Sequence, residues 1–242
     1  MPHKILNELE SLQWGDRLVK LQGFSDKNIA FSTSFSLEDQ AITHIIAENN
    51  LPIRIFTIDT GRMFEETYKT FQKTIDKYSN LDIKLFYPKA SLVEKLLTKQ
   101  SINAFYDSVE KRHNCCNIRK VEPLSRALNN VDIWISGLRR EHSQGRNNLA
   151  ISDFDASRNI VKFYPLIDLS IENIKVYIKE NNIPYNKLHD EGYPSIGCEP
   201  CTRAVKSGED SRSGRWWWEN ENTQECGLHL ENGKLVRKNS AE

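Results

Sequence analysis

The stretch "NIAFSTSFSLEDQAITHIIAEN" (28–49) decides how this chain is read. It opens with a run of apolar and β-branched residues, "NIAFSTSF" (28–35), with the character of a buried strand. A polar run then leads into "EDQAITHIIAEN", where Ile42, Ile45 and Ile46 fall on one helical face. The same strand-to-helix switch recurs downstream. "IRIFTI" (53–58) precedes "FEETYKTFQKTIDKYS", whose Phe64, Tyr68, Phe71 and Ile75 repeat at helical spacing. "DIKLF" (82–86), "DIWIS" (132–136) and "VKFYP" (161–165) extend the strand series, with helices predicted over 91–99, 117–129 and 171–181 and Ser170 as the last one's N-cap. Upstream, Leu6, Leu9, Leu12, Leu18 and Leu21 predict one amphipathic helix over residues 3–22. Strands alternating with helices mean an α/β fold, a mostly parallel central sheet flanked by helices. From about residue 190 the periodicity stops and an irregular C-terminal extension begins. The expected organisation is therefore an N-terminal helical segment (1–27), an α/β core (28–190) and a tail (191–242).

Length and composition narrow the classes. The 242 residues suffice for one α/β domain plus a tail. Lys plus Arg equals Asp plus Glu at 33 each, so no overall charge draws the chain to nucleic acid or to a membrane surface. No segment approaches the ~20 apolar residues that span a bilayer, and the N-terminus lacks the apolar run of a signal peptide. These features predict a cytoplasmic protein, in whose reducing surroundings cysteines serve metals or chemistry more often than disulfides.

In open α/β sheets ligands bind beyond the carboxyl ends of the strands. After the first strand, "STSFSLEDQ" (32–40) offers small hydroxyl groups and the first N–H groups of a helix to an anion; the same residues also serve as ordinary helix caps. After the second, Asp59, Thr60 and Gly61 either turn the chain or present backbone groups to a base or ribose. After "DIWIS", Gly137 opens a segment carrying Arg139, Arg140 and Arg146, suited to phosphate or sulfate, or to solvent. Together the strand ends suggest a small anionic ligand such as a nucleotide.

The five cysteines divide into two close pairs and one left over. "HNCCNIRK" places Cys115 beside Cys116, and "GCEPC" makes a CxxC of Cys198 and Cys201. Adjacent residues on a helix diverge by about 100°, awkward for a single zinc ion and easier for a cubane with separate iron atoms. A 4Fe–4S cluster, a zinc site and a redox dithiol all remain open on spacing alone. Cys226 has no partner. With His229, Arg212 and Arg215 nearby in sequence it is either an activated nucleophile or an unused surface thiol.

"CC" followed by "IRKVEPL", then "CTR" after the second pair, "GEDSRSGRWWWEN" (208–220) and "ECGLH" (225–229) together resemble the assimilatory adenylyl-sulfate reductases, the iron–sulfur branch of the phosphoadenylyl-sulfate/adenylyl-sulfate reductase family. The resemblance runs from "FSTSFSLEDQ" to "ECGLH". It implies an adenine nucleotide α-hydrolase-like fold in which "SFSLED" replaces the SGGxDS pyrophosphate loop of related ATP-splitting enzymes. It further implies that Cys226 attacks the sulfur of adenylyl sulfate and carries the S-sulfonate, with His229 beside it, until thioredoxin or a glutaredoxin-like protein releases sulfite. Ser34, Ser36, Glu38 and Asp39 then form the phosphate loop, and Asp59, Thr60 and Gly61 approach the adenosine. Gly137, Arg139, Arg140, Arg146, Arg212, Arg215 and Lys120 meet the anionic substrate, Lys120 between it and a 4Fe–4S cluster on Cys115, Cys116, Cys198 and Cys201. Acceptance of the 3′-phosphorylated substrate and assembly into homo-oligomers also fit the family. "RWWW" (215–218) reads as packing of the extension. A tRNA-thiolation enzyme is the rival; it needs the intact SGGxDS loop and a basic excess, both missing here. A non-enzymatic nucleotide-binding module would leave Cys226 dispensable.

Overall fold

A computed structural model describes residues 6–142, 149–206 and 208–219. The chain divides into two compact units, each assembled from separated segments. The first comprises Met1–Thr57, Phe64–Lys84 and Asn130–Glu191; the second comprises Ile58–Met63, Leu85–Asn129 and Gly192–Glu242.

The first unit is built on a six-stranded sheet. Its strands are β1 (Ile29–Ser32), β2 (Arg54–Ile58), β3 (Ile83–Phe86), β4 (Ile133–Ile135), β5 (Ser152–Asp155) and β6 (Ile160–Phe163), in the order β3-β2-β1-β4-β6-β5. β1 pairs in parallel with β2 and β4, and β4 with β6, so the centre is the parallel sheet that the sequence predicts. Phe31, Ile55, Ile133, Ile135 and Phe163 are buried in its core. Such near-continuous apolar strands suit a sheet covered on both faces.

Around this sheet lie α1 (Trp14–Val19), α2 (Leu37–Glu48), α3 (Glu65–Lys77) and α7 (Ile171–Glu180), with α2 packed on α1 and α7. Ser170 caps α7 as expected, its hydroxyl accepting from the Asn173 N–H at 3.1 Å. Two expectations need correction. The single helix over 3–22 is broken at Leu12 and Gln13, whose ψ angles of 159° and 141° are extended. Arg17 makes the break tolerable: its guanidinium donates to the carbonyls of Glu10, Leu12 and Pro165 and to the Asp168 carboxylate. The antiparallel strand β5, paired with β6, was not foreseen because "SDFD" carries no apolar alternation.

The second unit holds α4 (Ala90–Lys99), α5 (Val109–Cys116) and α6 (Glu122–Ala127). The helix predicted over 117–129 starts eight residues earlier, capped by Ser108, whose hydroxyl accepts from the Lys111 N–H. A π-helical stretch, Asn117–Val121, joins α5 to α6. Single π-turns of this kind frequently mark functional sites. Among the described residues no helix is long and apolar enough to cross a membrane.

Candidate functional site

Two groups of chemistry-bearing residues stand out, one in each unit.

In the first unit β1 runs into the loop Thr33–Ser36 and then α2. Phe35 has φ 59°, the left-handed conformation that favours glycine. The phenylalanine that adopts it is buried, its ring 5.0 Å from that of Phe71. Ser36 caps α2 by accepting from the Asp39 N–H at 3.2 Å. Both the N–H and the hydroxyl of Ser34 donate to Asp39 Oδ2, each at 2.7 Å. Burial pushes the Asp39 carboxyl up to about 6, and the Ser34 and Ser36 hydrogen bonds only partly oppose it. Glu38, beside it, pairs with Arg139 Nε at 2.9 Å; both side chains are buried. Arg139 also binds Glu141 and the Leu169 carbonyl, while Arg140 binds Glu10 and the Leu149 carbonyl. Gly137 is required by close approach, since a Cβ there would lie 2.6 Å from Asp39 Oδ1 and 2.8 Å from Glu38 Cβ. The structure therefore joins Ser34, Ser36, Glu38, Asp39, Gly137 and Arg139 at one helix start, with both described arginines already holding carboxylates.

In the second unit the four paired cysteines come together. Cys115 and Cys116 end α5, while Cys198 precedes and Cys201 ends the short 3-10 turn Glu199–Cys201. All four line one cavity of about 20 Å³, with Arg62, Arg112, Arg119 and Lys120 in its wall. Among the described residues these four cysteines form no disulfide, and no three His, Cys, Asp or Glu side chains are arranged to hold a metal ion.

The turn Asp59–Thr60–Gly61 belongs to the same unit. Asp59 Oδ1 accepts from the Gly61 N–H, and Gly61 has φ 71°. Thr60 Oγ1 lies 3.2 Å from Cys198 Sγ, and the Thr60 carbonyl accepts from Arg119 at 2.6 Å. Burial raises the Cys198 thiol, but the Lys120 charge, the Thr60 hydrogen bond and the charges of Arg215 and Arg119 outweigh it and lower the pKa. For Cys201 burial prevails, with the neighbouring Cys198, and pushes the pKa up to about 12. Cys115 is likewise raised by burial, opposed first by Arg119. The structure thus gathers four soft sulfur atoms under a cationic wall.

Arg215 is buried against Gly197, where a Cβ would sit 2.2 Å from its Nη2, and its guanidinium covers the Trp216 ring at 4.8 Å. Trp216 is 1% exposed among Phe105, Cys198 and Cys201, so it packs the extension as expected. Arg212 is half-buried in the turn after Asp210, whose carboxylate accepts its N–H. Arg146, Cys226 and His229 lie outside the described residues. Sequence reading passed over Arg62, Arg112 and Arg119. Only Arg119 left a signal: it follows Cys115 by four residues and Cys116 by three, on the same helical side.

Residues 28–204 match the family model described as "Phosphoadenosine phosphosulfate reductase domain". An adenosine 5'-phosphosulfate reductase of Sinorhizobium fredii (strain USDA 257) is 46% identical over 228 residues, covering 94% of this chain and 90% of that protein. One from Neisseria meningitidis serogroup B is 47% identical over 213 residues, covering 88% and 86%. Among solved structures, a phosphoadenylyl-sulfate reductase from Candida auris in a phosphate complex superposes with a TM-score of 0.70 at 27% identity, covering 84% of this chain and 95% of that one. Yeast FAD synthetase, at a TM-score of 0.50 and 16% identity over 84% and 73%, shares the fold alone.

Proposed function

The chain belongs to the phosphoadenosine phosphosulfate reductase domain family, and from that premise we propose that it reduces adenylyl sulfate to sulfite and AMP in sulfate assimilation. The observation that carries this reading is the near full-length identity to adenosine 5'-phosphosulfate reductases, accompanied by four thiols brought to one cationic cavity. The fold is of the adenine nucleotide α-hydrolase kind.

Cys226 is the nucleophile in this reading. Its thiolate attacks the sulfur of adenylyl sulfate, the S–O bond to the phosphate breaks, and AMP leaves with that electron pair. A dithiol protein of the thioredoxin or glutaredoxin class then attacks the Cys226 sulfur. Sulfite departs with its electron pair, and a second thiol of the reductant closes its own disulfide and frees Cys226. His229 and the arginines 146, 212 and 215 are proposed to favour the thiolate and to offset the charge of the sulfate oxygens. Ser34, Ser36 and Gly137 are proposed to present the phosphate loop, with Glu38 and Asp39 shaping it. Asp59, Thr60 and Gly61 are proposed to approach the adenosine. Arg139 and Arg140 hold carboxylates (Glu38 and Glu10), so their proposed part in binding is to fix those groups.

Cys115, Cys116, Cys198 and Cys201 are proposed to hold a 4Fe–4S cluster: four thiolates answer its ligand count, and Arg62, Arg119 and Lys120 in the cavity wall would offset their charge. Such a cluster would supply a structural tie and a fixed local charge, while the reducing equivalents arrive as thiols. Lys120, whose charge favours the thiolates of Cys198 and Cys201, is proposed to stand between these cysteines and the substrate. A cytoplasmic site of action and a homo-oligomeric assembly complete the proposal.

Intact mass after brief anaerobic mixing with adenylyl sulfate tests it. A gain of about 80 Da, absent in Cys226→Ser, is the expected S-sulfonate. Parallel mixing with the 3′-phosphorylated substrate ranks the two by rate, and the unphosphorylated form should react faster. Absence of adduct from either would sink the nucleophile assignment.

A further inference from the structure

Arg112 and Glu219 have no part in the chemistry above, yet they form the driest ion pair among the described residues. Their side chains are 1% and 3% exposed. The contact is bidentate, Nε to Oε1 at 2.9 Å and Nη2 to Oε2 at 2.7 Å, and the guanidinium lies 4.9 Å over the Trp216 ring. Arg112 precedes Cys115 by three residues on α5 and stands in the wall of the cysteine cavity. Glu219 closes a turn with the Trp216 carbonyl at 2.8 Å, and Trp216 in turn donates its N–H to the Cys201 carbonyl at 3.2 Å. The pair thus joins α5 to the last described turn of the chain, at the place where both cysteine pairs meet.

We propose that Arg112 and Glu219 are a positioning pair: they fix the point from which the carboxyl-terminal segment departs and tie that point to the cysteine quartet. The inference rests on the reading of Cys226 as nucleophile. Cys226 follows Glu219 by seven residues, so its Cα lies within roughly 25 Å of the Glu219 Cα along any path. With the pair broken, the next fixed point back is Trp218, packed on the Tyr106 and Phe105 rings and eight residues from Cys226. The bound then grows only to about 29 Å, which by itself dilutes the thiol about 1.2-fold. Loss of orientation adds to that dilution. A dry bidentate pair does not loosen by degrees, because removing one partner strands the other charge.

The test compares wild type, Glu219→Ala, Glu219→Gln and the charge-swapped Arg112→Glu/Glu219→Arg double variant, all anaerobically purified. Four quantities are read: the single-turnover rate of the about-80-Da adduct, the AMP dissociation constant, iron per chain, and the rate of tryptic cleavage after Arg212 and Arg215. Adduct formation is expected to slow at least 2-fold in the single variants, with AMP affinity and iron content unchanged and cleavage faster. The double variant is expected to recover both the adduct rate and the protection from trypsin. Unchanged adduct rate and cleavage in Glu219→Ala would overturn the proposal. So would slowing that tracks lost iron across the variants, since that marks a merely structural pair. If wild type forms no adduct, the reduction reading fails by itself, and the cleavage rates still decide whether the pair fixes the segment.

Discussion

Gly137 shows how much one missing methyl decides. The Cβ that alanine would add meets the Asp39 carboxylate and the Glu38 stem, both in the first turn of α2. Neither neighbour is a flexible side-chain end in open solvent, for both residues are buried. Gly137→Ala is therefore expected to cost about 1–3 kcal/mol of stability and to weaken AMP binding, read by denaturation midpoint and by AMP titration. Asp39 makes a different prediction. Its folded pKa, up to about 6 from an ordinary 3.8, means that the native state binds more protons than the unfolded chain between those values. Stability thus falls as pH rises through that window, by roughly 3 kcal/mol in all. Asp39→Asn keeps an acceptor for Ser34 and should flatten that part of the unfolding free-energy profile; an unchanged slope would refute the burial argument. At this scale the sequence grouped Ser34, Ser36, Glu38 and Asp39 at one strand–helix junction, and the structure brings them together there, Ser36 as the helix cap and Ser34 as a donor to Asp39. It did not reveal that Arg139 and Arg140 already hold Glu38, Glu141 and Glu10. Pairings between residues up to 130 positions apart leave no periodic trace.

Elements with one apolar period were legible, and those held by polar contacts were not. β1, β2, β4 and β6 read directly from runs of Ile, Val and Phe, and α7 from its cap and spacing. β5 is held instead by its hairpin with β6. Asp155 there accepts from the Ser157 hydroxyl at 2.6 Å, the Arg158 guanidinium at 2.8 Å and the Lys162 ammonium at 3.0 Å. Burial would raise this carboxyl, but those partners hold it well below the usual carboxylate range. Its contribution is therefore present above the ordinary pKa and is lost as pH falls below it. Asp155→Asn is expected to cost about 1–3 kcal/mol at neutral pH, with hydrogen exchange rising first in β5 and the adjoining half of β6. The helix start at Val109 escaped notice for a related reason: Arg112 reads as a polar residue in sequence, while in the fold it is fully buried against Glu219.

Across the whole chain, the α/β class followed from the strand–helix alternation, and the four-thiol site from two pairs of cysteines. The interleaving did not follow, because nothing local announces that Ile58–Met63 and Leu85–Asn129 belong with the segment beginning at Gly192. Between Cys116 and Cys198 lie 81 residues, most of them in the sheet-bearing unit. Closing a loop of that length costs roughly 4 kcal/mol in chain entropy before the contacts at its ends offset it. That separation also sets a timetable for biosynthesis. The ribosome adds the first pair of thiols long before the second, so over that interval the growing chain carries only two of the four. A cluster of the proposed kind would find all four of its ligands only once Cys201 has been added, so its assembly would follow the folding of the sheet-bearing segments that lie between the two pairs.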